Sequence, residues 1–242
     1  MFVLDGEAVL EPGDLARAAD CEWAVRHEVE ARLAGLRART AGDDGATEAW
    51  SAAPRHAGSP GAAPDHTGDV LAALHGAFGR AGVCELPAPR DGEALRAHHD
   101  ATLAALRPGI EAVHGGGFFD GRFHGRIDLL IRDDGVWVAH EVPPPGRSRH
   151  ESSLRLAACY DGLTRAGVAV ATEARLLLQN GTATSLELNT VVPVYRTWRA
   201  RLETLVDERR HRTATGAPAA VRRCGRCPAC QPATSMGGGF TP

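Results

Sequence analysis

Lysine is missing from the 242 residues, so all 27 basic side chains are arginine. Any cation the chain supplies to a site is therefore a guanidinium, always protonated and unable to act as a base. Neither charge sign is in excess: 27 basic residues stand against 30 acidic ones, which excludes a global basic field and leaves any nucleic-acid surface to be local. No apolar run approaches the roughly 18 to 20 residues of a membrane helix, and the opening Met1-Phe2-Val3-Leu4-Asp5-Gly6-Glu7 lacks a basic-then-apolar leader pattern. The expectation is a cytoplasmic chain with no membrane partner. Cysteine is sparse, at six. In a reducing compartment six thiols do not make a disulfide framework, so closely spaced cysteines point to metal.

The length suits one good core, and we expect a single domain over residues 1–231 followed by a disordered tail, 232–242. Periodicity predicts a helix over 14–39, with Asp14 as N-cap, Trp23, Val25, Val29, Leu33 and Leu36 on the apolar side, and Cys21 inside it. Residues 41–64 are rich in Gly, Ala, Pro, Ser and Asp and are expected to form a flexible insertion. Further helices are predicted over 65–81 and over 92–106, where Pro108 stops the chain.

Strand-forming residues then dominate at 113–119, 122–132 and 136–142, parted by Asp120-Gly121 and Asp133-Asp134-Gly135, and Pro143-Pro144-Pro145-Gly146 ends the run. A helix over 151–166 closes on Gly167. Strands over 174–179 and 185–188 turn at Asn180-Gly181, and a last helix covers 194–210. No internal repeat is present.

Two constellations carry chemistry. Cys224, Cys227 and Cys230, at two-residue gaps, can converge on one centre, and Cys21 is the natural fourth ligand. Arg222, Arg223 and Arg226 around them favour thiolate over thiol. Spacing alone leaves zinc and an iron-sulfur cluster both open. Cys84 and Cys159 lie among apolar residues and read as buried thiols. The second constellation is Asp128 in Gly125-Arg126-Ile127-Asp128 and Glu141 in His140-Glu141-Val142, brought together by the hairpin between them. Such a pair can hold a divalent cation and activate water, with His66 adding a nitrogen. Taken singly, each has a plainer reading: Asp128 paired with an arginine, Glu141 ending a strand in solvent, His66 an ordinary histidine.

Together, Asp20-Cys21-Glu22-Trp23, His66, Gly-Arg-Ile-Asp128, Glu141-Val142 and Cys224-x-x-Cys227-x-x-Cys230 resemble the RecB-like PD-(D/E)XK nucleases that carry an iron-sulfur staple, with more distant similarity to CRISPR-associated RecB-type nucleases. Phe118-Phe119-Asp120-Gly121-Arg122-Phe123 and Pro193-Val194-Tyr195-Arg196 are similar to that group as well, and the likeness spans about residues 10–231 apart from the insertion. The resemblance implies an α/β (α+β), restriction-endonuclease-like core with a mixed sheet flanked by helices. It implies a [4Fe-4S] cluster on Cys21, Cys224, Cys227 and Cys230, and Mg or Mn on His66, Asp128 and Glu141. It also implies DNA as substrate, with a single-stranded portion or end, and a helicase as partner. Contact with DNA is expected through Arg122, Arg126, Arg147, Arg149 and Arg155.

The departures point the other way. Where the family has its motif lysine, two residues after the second carboxylate, this chain has Pro143, and no other lysine can substitute. Where the family's following helix presents a glutamine and then a tyrosine, this chain has Arg155 and Cys159. Metal-dependent hydrolysis of DNA, slowed by these losses, and a silent relative that only binds DNA or a helicase are the two expectations to test.

Overall fold

In the computed structural model the described residues are 1–5, 7–40, 66–178, 182–210 and 220–231, with side chains over 1–5, 7–32, 68–178, 182–208 and 220–231. The insertion at 41–64, the Asn180-Gly181 turn and the tail lie outside them. Strands β1 (Phe2–Leu4) and β2 (Glu7–Val9) precede helices α1 (Pro12–Asp20), α2 (Glu22–Thr40) and α3 (His66–Phe78). After a 3-10 turn at Arg80–Gly82 come β3 (Val83–Glu85), α4 (Ala94–Ala105), β4 (Ala112–His114), β5 (Gly117–Phe119), β6 (His124–Arg126), β7 (Leu129–Asp133) and β8 (Val136–Glu141). The chain continues through α5 (Arg149–Arg165), β9 (Glu173–Leu177), β10 (Ala183–Glu187) and α6 (Leu188–Arg210).

The centre is a six-stranded mixed sheet in the order β10-β9-β8-β7-β4-β3, parallel at β9/β8 and β4/β3 and antiparallel elsewhere. Helices flank it, so the expected α+β architecture is present. Among the described residues no helix is long and apolar enough to cross a membrane.

The β7–β8 hairpin follows directly from its residues. Leu129-Leu130-Ile131 and Val136-Trp137-Val138 supply strand formers, and Asp134 and Gly135 both take positive φ (48° and 83°) in the two-residue loop between paired Asp133 and Val136. Helix α5 is equally local in origin. Ser148 caps its start by accepting from Glu151 N at 3.1 Å, and Gly167 at φ 83° lets Val168 N return to Leu163 O at 3.0 Å.

Elsewhere the chain departs from its local pattern. The helix expected over 14–39 is two helices, because Cys21 adopts an extended backbone (φ −157°, ψ 101°) at the C-cap of α1. Its start is capped by Glu11, not Asp14, and the two residues form a reciprocal box, with Glu11 N donating to Asp14 Oδ2 at 2.8 Å. The strand expected over 113–119 divides into β4 in the main sheet and β5 in a separate hairpin with β6, and 122–132 divides likewise at Ile127-Asp128. Helix α6 begins at Leu188, six residues early, and contains Pro193.

The hairpin β5–β6 leaves the main sheet to bury aromatics against α5 and α6. Phe118 stacks on Phe123 (6.1 Å, 7°), and Tyr195 meets Phe123 edge-on (5.6 Å, 87°). Arg199 lies over the Phe123 ring at 4.9 Å while bonding Asp120 at 2.7 Å. Asp161 on α5 pairs with Arg196 at 2.7 Å. The Phe118–Phe123 and Pro193–Arg196 segments therefore hold the core together.

Phe118 lies between two glycines. A Cβ on Gly125 would come within 2.1 Å of its ring, and one on Gly162, in α5, within 2.5 Å. Alanine at a helical glycine ordinarily gains about 1 kcal/mol. Gly162→Ala is expected to do the opposite, losing about 1–3 kcal/mol to overpacking, as read by urea denaturation.

Candidate metal centre and carboxylate site

The extended residue between α1 and α2 turns the Cys21 side chain toward residues 220–231. That segment is pinned at several points. Arg222 N donates to Glu22 Oε2 at 2.9 Å, Trp23 N to Arg222 O at 3.1 Å, and Trp23 Nε1 to Ala229 O at 2.8 Å. The Arg222 guanidinium donates to the carbonyls of Ala18 and Ala19 at the C-terminus of α1, and Arg201 from α6 pairs with Glu22 at 3.3 Å.

These contacts bring Cys21 Sγ to 3.4 Å from Cys230 Sγ and 3.7 Å from Cys227 Sγ. All four sulfurs, with Cys224, lie within 4.8 Å of one another. Among the described residues this is the one such group of potential ligands. The loop around Cys224 aims its N–H groups inward: Arg226 N and Cys227 N donate to Cys224 Sγ at 3.4 and 3.3 Å, with Gly225 at φ 71° making the turn. Those bonds hold the Cys224 thiol down to about 6, whereas burial and the neighbouring thiols push Cys227 up to about 11. Burial raises the Cys21 thiol too, but N–H groups from Cys224 and Ala24 outweigh it and leave its pKa lowered. An all-sulfur donor set this compact, with a thiolate already favoured at one corner, can hold a metal such as zinc or an iron-sulfur cluster.

The second constellation forms only in part. Leu129 pairs with His140, and one step further the same register sets Asp128 opposite Glu141. Val142 N donates to Asp128 Oδ2 at 3.0 Å. Glu141 does not end its strand in solvent. It is buried at 3% exposure on the α5 side, where Ser152 Oγ donates to its Oε1 at 3.2 Å. His66 opens α3, and its side chain lies outside the described residues.

Arginine occupies the space between the acids. Arg155 Nε stands 3.0 Å from Glu141 Oε1 and its Nη2 3.5 Å from Asp128 Oδ1, while Arg147 Nη1 adds a bond to Glu141 Oε1 at 2.9 Å. Two guanidinium charges thus face two carboxylates. Burial raises the Glu141 carboxyl above its ordinary range, with Arg155 pulling down and Asp128 pushing up. Cys159, one turn beyond Arg155, is fully enclosed and its thiol is pushed well up by burial, so it stays protonated.

Of the arginines expected to contact DNA, Arg122 pairs with Asp207 at 2.6 Å, and Arg147 and Arg155 serve the carboxylates. Arg126 and Arg149 are exposed. Sequence reasoning allowed an arginine on Asp128 without identifying Arg155. The available signal was Leu154-Arg155-Leu156-Ala157-Ala158, a lone cation in a run that a core helix buries and that must find an acid inside.

Arg155→Ala leaves Glu141 with Arg147 alone and Asp128 with only the Val142 N–H, and should cost about 3–5 kcal/mol. A carboxyl with a raised pKa binds its proton more tightly folded than unfolded, so the deficit is largest above that pKa. It should shrink as pH falls toward the ordinary carboxylate range, as measured by urea denaturation across pH.

No protein-family model matches the sequence, and no curated protein matches it, so the functional reading rests on the chemistry of these two sites.

Proposed function

We propose that the chain is a RecB-like PD-(D/E)XK nuclease relative whose cleaving site is closed by arginine, leaving a module that binds DNA or a helicase, with DNA the reading developed below. The observation that carries this reading is the Arg155 guanidinium placed between Asp128 and Glu141, where a catalytic cation would sit. Pro143 in place of the motif lysine supports it, because the chain has no lysine to steady a developing negative charge. The ligand class, DNA with a single-stranded portion or end, comes from the resemblance.

A second reading, divalent-metal-dependent hydrolysis of DNA, draws on the facing of Asp128 and Glu141 across β7 and β8. In that reading His66, Asp128 and Glu141 hold Mg or Mn, which lowers the pKa of attacking water. One assay decides between them, using labelled single-stranded DNA with Mg or Mn. Wild type is expected to leave the strand intact. Pro143→Lys combined with Arg155→Gln is expected to gain cutting that Asp128→Ala removes. Cutting by wild type that Glu141→Gln abolishes would establish the second reading instead.

For the four cysteines the resemblance favours a [4Fe-4S] cluster, and the compactness of the sulfurs gives zinc a specific argument. A Zn–S bond of about 2.3 Å sets tetrahedral edges at about 3.8 Å, near the separations of 3.4 and 3.7 Å. A cluster needs its thiolates farther apart, and the half-exposed Cys224, Cys227 and Cys230 sit on an irregular loop that can spread to allow it. Thiolates kept for a metal suit a reducing cytoplasm.

Anaerobic purification followed by iron, sulfide and zinc analysis separates the two groups. A brown protein with equal iron and sulfide supports the cluster, and zinc without sulfide supports the single ion. With either group, Cys227→Ser should lose the metal and lower the melting temperature. An unchanged melting temperature would dismiss a stapling role.

A further inference from the structure

The arginines around Asp128 and Glu141 are committed to carboxylates, which leaves open where a strand of DNA could lie. The metal-centre face answers that question. Arg222, Arg223 and Arg226 are all exposed there within five residues of chain, and two half-buried tryptophans lie beneath them. Arg223 Cζ sits 3.7 Å from the Trp23 ring centroid, and Arg222 Cζ sits 5.5 Å from that of Trp198 on α6. The Arg226 guanidinium has no ion-pair partner among the described residues. Of the adjoining acids, Glu22 is buried and bound to Arg201 and to Arg222 N, and Asp20 is exposed at the end of α1.

We propose that this Arg–Trp face, built on the metal-stapled segment, is where the protein holds single-stranded nucleic acid, an inference that rests on the DNA-binding reading above. Guanidinium groups meet phosphates in a bidentate fork, and flat indole and guanidinium surfaces accept any base by stacking. A duplex hides its bases, so the face fits a single strand. The site at Asp128 offers no comparable surface, because its exposed atoms include a carboxylate and its guanidiniums point inward.

The arginines also offset the metal centre, since four thiolates around a divalent ion carry two net negative charges. A role limited to charge balance is the alternative that the experiment must separate. Fluorescence anisotropy of labelled single-stranded oligothymidylate is measured on the metal-loaded full chain, with metal content determined for every variant. Arg226→Glu and Arg223→Ala/Arg226→Ala are expected to keep the metal and weaken binding about tenfold or more. The slope of log affinity against log salt should fall by about 0.7 for each phosphate-contacting arginine removed. Arg126→Ala/Arg149→Ala, on the other exposed arginines, should bind as wild type does.

Metal-loaded Arg226→Glu or Arg223→Ala/Arg226→Ala with wild-type affinity overturns the proposal. So does displacement by polyglutamate as effective as by unlabelled oligonucleotide. Binding that the Arg126→Ala/Arg149→Ala pair abolishes defeats this placement but leaves DNA binding standing. Wild type that fails to bind at low salt defeats the DNA-binding reading itself.

Discussion

The contact between Cys21 and Cys230 closes a loop of 209 residues, and the rest of the arrangement depends on it. Bringing two such points together costs about 5 kcal/mol of chain entropy by the logarithmic loop rule. The core contributes most of what offsets this, since α1, α5 and α6 pack directly against one another. The last described segment, residues 220–231, however, hangs on Glu22, Trp23 and Arg201. For that short arm a structural metal, with apparent binding energies of about 10–16 kcal/mol at small zinc sites, would outweigh each of these polar contacts. A metal held there would fasten the segment that presents Arg222, Arg223 and Arg226.

The two constellations solve one electrostatic problem in opposite ways. At the sulfur centre negative charge is concentrated with no side-chain cation among the sulfurs, and N–H groups prepare the thiolate for an ion. At the carboxylates the cation is covalently part of the protein. The proline run after Val142 helps deliver it: Pro143-Pro144-Pro145 leads to Gly146 at φ 84°, and Arg147 N closes the turn on Pro144 O at 3.2 Å. That turn sets the Arg147 guanidinium against both Glu141 and Glu151.

Legibility in the sequence followed the range of the forces involved. The β7–β8 hairpin and α5 were readable because turn, cap and strand chemistry lie within a few residues of where they act. The convergence of the four cysteines was readable as well, since three cysteines at two-residue gaps have few uses other than metal binding. The break at Cys21 was not, because no glycine or proline marks it and residues 12–40 carry helix formers throughout; the break serves a partner two hundred residues away. The division of 113–119 does carry a local mark, Gly115 at φ 75° beside Gly116, but what draws β5 away from the sheet, an aromatic cluster completed by Tyr195, is distant in sequence. Arg155 belongs to this class: its role is fixed by Asp128, just before β7, and Glu141, at the end of β8, which only tertiary folding brings to α5.

The strength of the arginine closure bears on whether a divalent ion could still enter. An incoming Mg or Mn must displace a guanidinium whose side chain is 14% exposed and whose acids are the ones the ion requires. Unpairing a buried arginine without a new partner costs about 3–5 kcal/mol, which is about two to four powers of ten in ion affinity. Hard cations bound through one or two carboxylates keep several of their waters and have little affinity in reserve. A guanidinium also spreads its charge over a plane and binds no nucleophilic water, so even perfect positional mimicry leaves nothing to attack phosphorus. The geometry that keeps Glu141 buried is therefore the same geometry that would keep a divalent ion out, and Arg155 on α5 contributes to both.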